Sequence, residues 1–355
     1  MAAIAENTLF KAGTGGYHTY RIPSLLAAPG GALLAFCEGR RYGEDDAGEI
    51  DLLQRRSLDG GRTWSAPSVT ADDGGNTCGN PCPVVDRDTG TIFMLMTWNL
   101  GDDSEKAIIG GSSRGSRTVH VCRSQDGGAS WSRPVDITRA VKRKDWTWYA
   151  TGPGTGIQTA SGRLVIPCDH VEAGTERHGS HVILSDDHGA TWRLGGVVPQ
   201  GNVNECAVVE TADGRLVLNM RNRRSNLQHR AVSTSLDGGE TWSAVSHDPA
   251  LPEPRCQAGL RAAAAFGAAG DSVLFSNPAD TAERQALTVR LSRDGTRTWP
   301  VGRLLHAGPS AYSCLEFLQD GTIGCLYERG EPDASPYGEI RLALFDMDWL
   351  AGSGA

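Results

Sequence analysis

The chain has 355 residues, 45 of them glycine, with 21% charged side chains and a formal net charge of −8. That acidic balance, with no long basic run, argues against nucleic acid and anionic membranes as partners, while arginines converging in one concavity would still hold a small anion. Nine cysteines, an odd number scattered between Cys37 and Cys325, do not read as a disulfide framework and suit a reducing compartment.

The opening MAAIAENTLF has no basic segment, and Glu6 interrupts its apolar residues. As written the sequence predicts a cytoplasmic protein, or a secreted one whose signal has been removed. The most apolar run, residues 262–269, is far too short to span a bilayer. Tyr20-Arg21-Ile22-Pro23 then places an arginine in a short extended segment, because a residue before proline is pushed toward β geometry. A strand at 32–37 leads into a loop, 38–51, dense in charge: Glu38, Arg40, Arg41, Glu44, Asp45, Asp46, Glu49 and Asp51. Such a loop is a candidate site rim. Residues 79–98 read as scaffold strands around a DRDTG turn, and the Gly/Ser-rich stretch 101–117 as a long loop over the same rim. Aromatics mixed with glycines at 145–158 suit a sugar-binding wall. Further on, Glu205 stands beside the apolar strand of 202–210 and Arg221 at the end of the strand in 214–222. Arg284 precedes the strand of 287–291, Tyr312 opens another, and 323–328 and 339–345 are the last strand-like runs. Cys78 with Cys82, and Cys168 with His170, lack a second ligand pair at zinc spacing, so no metal is expected.

One pattern recurs through this order. SLDGGRTW at 57–64 returns as SQDGGASW at 124–131, SDDHGATW at 185–192, SLDGGETW at 235–242 and SRDGTRTW at 292–299, at intervals of about 50 to 70 residues. In each copy Ser and Asp can bond backbone amides of a tight turn, the glycines accept positive φ, and the Trp can drop into a seam between neighbouring sheets. Short β-patterned runs precede the copies and WSAP or WSRP follows two of them. The expectation is one all-β domain over residues 1–355, a six-bladed β-propeller with about sixty residues in each four-stranded blade. Five copies leave the sixth blade to be completed by the chain ends.

With YRIP at 20–23, the five boxes, and NEC, NMR, AYS and LYE in that order, the sequence resembles the exo-α-sialidases (neuraminidases) of glycoside hydrolase family 33. The resemblance implies retaining hydrolysis of terminal α-linked sialic acid through a tyrosyl-enzyme intermediate, without metal or cofactor. It assigns Arg21, Arg221 and Arg284 to a triad gripping the substrate carboxylate, with Arg40 a further arginine at the rim and Glu328 holding Arg21. Asp46 becomes the acid/base, with adjacent Asp45 as the alternative. Tyr312 becomes the nucleophile and Glu205 its partner.

The chemistry gives its own reasons for that set. A sialoside carries its carboxylate on the anomeric carbon, and arginine pairs a carboxylate in bidentate fashion with a permanent charge. An anionic nucleophile would approach that carboxylate against like charge, whereas tyrosine arrives neutral. Free tyrosine titrates at about 10, so it needs a base within reach. The expected partners are sialylated oligosaccharides, glycoproteins or glycolipids. Three alternatives stay open: a related ulosonic acid such as the deaminated analogue, transfer to another sugar, or glycan binding without turnover. Trp98, Trp148 and Tyr149 are candidate linings for the C5 substituent that would separate substrates.

Overall fold

The computed structural model describes residues 4–175, 177–224, 226–263 and 270–352. Most of the apolar run at 262–269 therefore lies outside the described residues, and among those described no helix is long and apolar enough to cross a membrane.

The described strands pair into four sheets, within which the antiparallel pairs fall into six groups in chain order, the first two joined by a parallel bridge from Ile50 to Thr77 and the last two by one long shared strand. The first contains Thr19–Ala27, Leu33–Arg40, Ile50–Ser57 and Ser68–Ala71. The second runs Thr77–Val85, Ile92–Asn99, Thr118–Ser124 and Val135–Asp136. In the third, Trp146–Thr151 and Ile157–Gln158 both pair with Leu164–Glu172, followed by Arg177–Ser185 and Arg193–Val197. The fourth is Val203–Glu210, Leu216–Asn222, His229–Ser235 and Ser246–Pro252. Gly259–Ala262, Val273–Pro278 and Gln285–Ser292 form the fifth with the first half of Val301–Phe317. The second half of that long strand begins the sixth, with Ile323–Arg329, Glu339–Phe345 and, from the start of the chain, Ala5–Lys11.

The innermost strands of neighbouring groups touch in turn, through Ile157–Gln158 between the third group and the fourth, and the sixth touches the first, so the contacts close into a ring. Burial follows from that arrangement. Thr19–Ala27 and Leu33–Arg40 are buried on both faces, whereas the outer strand Ser246–Pro252 is largely open. Six apolar clusters fill six seams, each joining two consecutive groups; the seam of the sixth and first holds Phe10, Leu25, Leu326 and Leu342. The fold is a β-propeller, closed by pairing its N-terminal strand with Glu339–Phe345.

Each box is the turn after the third strand of blades one to five. In the first, Ser57 Oγ donates to Asp59 Oδ1 at 2.8 Å and accepts from Gly61 N, while Asp59 accepts from Thr63 N and Thr63 Oγ1. Those donors hold the Asp59 carboxyl down at about 2. The same bonds recur at Asp126, Asp187, Asp237 and Asp294. The five tryptophans, Trp64, Trp131, Trp192, Trp242 and Trp299, pack into the seam between their own blade and the preceding one. The sixth blade has no box. After its third strand the helix Met347–Ala351, capped by Asp346, carries Trp349 into the corresponding seam.

Candidate active site

Five of the innermost strands break register at the same level, between Arg21/Ser24, Gly79/Cys82, Trp146/Tyr149, Val203/Cys206 and Ser310/Ser313. A bulge re-aims side chains where a regular strand would alternate them. Here the bulged residues Ile22, Asn80, Trp148, Asn204, Glu205 and Tyr312 all line one cavity of about 430 Å3. Ile22 does not take the extended conformation expected before proline. Its φ is 61°, a strained value for a β-branched residue. Its N–H instead donates to Glu328 Oε1 at 2.8 Å.

Glu328, fully buried, organises one side of the cavity. Oε1 also accepts from Arg21 Nε at 2.8 Å, and Oε2 accepts from Tyr312 N at 3.0 Å. One carboxylate thus fixes an arginine from blade one and the tyrosine backbone of blade six. The Tyr312 hydroxyl donates to Glu205 Oε1, and Glu205 Oε2 accepts from Arg221 Nη1 at 2.7 Å. The same Arg221 nitrogen reaches the Tyr312 hydroxyl at 3.3 Å. Arg21 and Arg284 lie 5.0 and 5.6 Å from the centre of the Tyr312 ring. Burial, then the Glu205 charge, push the Tyr312 hydroxyl well above its usual value against the pull of the arginines. Burial opposes ionisation of Glu205 as well, yet Arg221 holds that carboxyl below the ordinary range. The resting pair is a neutral tyrosine donating to a carboxylate.

Asp46 sits at the mouth with its side chain about half exposed at 47%, and Oδ1 accepts from Arg40 Nη2 at 2.6 Å. Desolvation would raise this carboxyl, but Arg40 and then Arg21 lower it further than that. Asp46 lines the cavity and Asp45 does not. Arg40, expected at the rim, is instead buried beneath Asp46: its guanidinium is taken up by Glu38 Oε2, Asp46 and the Glu44 carbonyl. The other triad members, Arg221 and Arg284, line the cavity with Arg21.

The cavity also gathers residues that the sequence reading passed over. Tyr337 lies under Arg21 at 3.8 Å and accepts from Arg284 Nη1 at 2.8 Å, steadying two of the three arginines. Arg117 donates to Asn80 Oδ1 at 2.6 Å and stacks on Trp148 at 3.9 Å. Glu105, Asp169, Asn204 and Arg223 complete that wall. Of the three aromatics proposed for it, Trp148 is there. Tyr149 is buried in the core against His181, and Trp98 donates to Asp73 outside the cavity lining. Away from the cavity, Asp86, Asp88 and His188 converge, with Gln158 Nε2 donating to both carboxylates. All nine cysteines are buried and unpaired with one another.

A β-propeller with box turns whose mouth gathers three arginines around a tyrosine–carboxylate pair has a cavity suited to a small carboxylate. Comparison with known proteins identifies the family. The model of the BNR repeat-like domain matches residues 31–325. A sialidase of Micromonospora viridifaciens is 36% identical over 98% of this chain and 54% of its own length, and an exo-alpha-sialidase of Aspergillus fumigatus is 31% identical over 94% and 86%. Among solved structures, Hadza microbial sialidase Hz136 superposes with a TM-score of 0.86 at 32% identity, covering 97% of this chain and 69% of that one. The chain belongs to the sialidase family. It spans little more than half the length of the Micromonospora and Bacteroides fragilis relatives, 54% and 61%.

Proposed function

We propose that the chain is one catalytic domain that hydrolyses terminal α-linked sialic acid from oligosaccharides, glycoproteins or glycolipids with retention of configuration. The observation that carries this reading is the Tyr312–Glu205 hydrogen bond lying among Arg21, Arg221 and Arg284. The substrate carboxylate pairs with the arginines, which places the anomeric carbon over the tyrosine hydroxyl. As the tyrosyl oxygen attacks, its proton passes to Glu205, and Asp46 protonates the departing glycosidic oxygen. Asp46 then takes a proton from the water that cleaves the bond between tyrosyl oxygen and anomeric carbon, and Glu205 returns its proton to Tyr312. Arg40 acts only through Asp46, and Glu328 only by fixing Arg21 and the Tyr312 backbone.

Tyr312→Phe removes the nucleophilic oxygen and leaves the ring beneath the arginines. Turnover of a fluorogenic N-acetylneuraminic acid α-glycoside should fall at least a hundredfold, on the order expected for losing a catalytic group, with the thermal midpoint nearly unchanged. Proton NMR of the first product should show the α-anomer. Full activity in the variant, or initial release of the β-anomer, would overturn the mechanism.

A further inference from the structure

We infer that the cavity wall opposite the arginines selects a sialoside whose C5 substituent ends in a hydroxyl over one that ends in a methyl group; this rests on the function proposed above. The arginines come from blades one, four and five. The facing wall comes from blades two and three and the bulge of blade four, as Asn80, Arg117, Trp148, Asp169 and Asn204. In a six-membered sugar ring held by a carboxylate on C2, the atom directly across is C5. The substituent there is what meets this wall.

The wall is polar and unsatisfied. Asp169 is 1% exposed and neither of its carboxyl oxygens has a hydrogen-bond partner. Asn204 Oδ1 and Arg117 Nη1 are buried and unpartnered in the same way. Burying such atoms without partners is costly, and where four of them share one cavity wall a ligand in that cavity can supply the missing bonds. A hydroxyl both accepts, as from Arg117 Nη1, and donates, as to Asn204 Oδ1. Burial and the neighbouring Glu205 charge push the Asp169 carboxyl well up against the pull of Arg117, Arg223 and Arg221. The amide of an N-acetyl group can meet one donor and one acceptor of this wall, but its terminal methyl pairs with none of the remaining atoms, which a hydroxyl in its place would engage.

Two sources share this chemistry: a hydroxyl directly on C5, as in the deaminated sugar, and the hydroxyacetyl group of the N-glycolyl form. The test measures kcat/KM of the wild-type chain on the N-acetyl, N-glycolyl and deaminated α-glycosides with one fluorogenic aglycone. At least one hydroxyl-bearing substrate should exceed the N-acetyl compound by about tenfold or more, and which one does so names the source. Asp169→Leu should shrink that ratio by about tenfold, a change that a purely structural role would not produce. Preference for the N-acetyl substrate overturns the inference and leaves the sialidase reading intact. No cleavage of any of the three by folded protein overturns both. The wild-type ratio decides the matter even where the variant fails to fold.

Discussion

In the proposed mechanism Asp46 must carry a proton to release an aglycone, and its surroundings hold it ionised. Arg40 at 2.6 Å is the strongest of the lowering influences and Arg21 the next, together outweighing desolvation. A bound carboxylate cancels part of the Arg21 field, so substrate itself raises the Asp46 pKa and readies the acid. In the free enzyme the depressed value places the alkaline limb of kcat/KM on the acid side. Arg40→Gln removes the larger cation. The Asp46 pKa rises, more of the carboxyl is protonated at a given pH, and the limb moves toward neutral. A pH–rate series on both proteins reads this directly, and an unmoved limb would show that Arg40 does not set the acid. The same depression makes the Arg40–Asp46 pair stabilising above the ordinary aspartate range and lost as the pH falls through the folded value. Arg21, Asp46, Glu205, Arg221, Arg284, Tyr312 and Glu328 were legible in the sequence because each stands in a short motif or beside a box. Tyr337, Arg117 and Asp169 were not. Tyr337 and Asp169 lie in ordinary-looking segments, and Arg117 ends a loop legible only as rim; strand register and bulges bring all three to one cavity.

At the scale of the element, the box turn was readable to the level of its bonds: Ser and Asp on backbone amides, Trp in the seam. The strained positions follow from the same template. The box needs left-handed backbone at its fourth and fifth residues, where Gly60 and Gly61 have φ of 72° and 86°. The third copy puts His188 at φ 57° and the fifth puts Thr296 at φ 73°. A β-branched residue there costs about 1–2 kcal/mol relative to one in an ordinary region. Thr296 keeps its place because its N–H still reaches Ser292 Oγ at 2.9 Å and Asp294 still accepts from Thr298. Thr296→Gly should therefore raise stability by about 1 kcal/mol, the relief of strain slightly offset by a more flexible unfolded chain. Chemical denaturation measures it, and a loss of stability would mean that the threonine side chain holds more than its backbone wastes. The sixth seam was not legible. Trp349 reaches it from a helix capped by Asp346, whose sequence, DMDW, shares only Asp and Trp with the box, so a search for the turn passes over it.

At the scale of the molecule, the closure and the site share one seam. Ala5–Lys11 completes blade six, and its Phe10, 2% exposed, packs in the cluster that binds blade six to blade one. Across that same seam Glu328 of blade six holds Arg21 of blade one. A loosened closure should thus be felt at the carboxylate site, while an equal loss elsewhere in the ring should not. Phe10→Ala removes an aromatic ring from the closure seam and should cost about 3–5 kcal/mol, and Leu184→Ala, between blades three and four, about 2–5 kcal/mol. Well below both melting temperatures, Phe10→Ala should raise KM for a sialoside several-fold and Leu184→Ala should leave it near wild type. The comparison separates lost stability from lost geometry, because only one variant disturbs the seam that sets Arg21 against Glu328. Equal KM values in the two variants would mean that Glu328 fixes Arg21 without help from the closing strand, and that the ring joins fold and site only by holding the blades together.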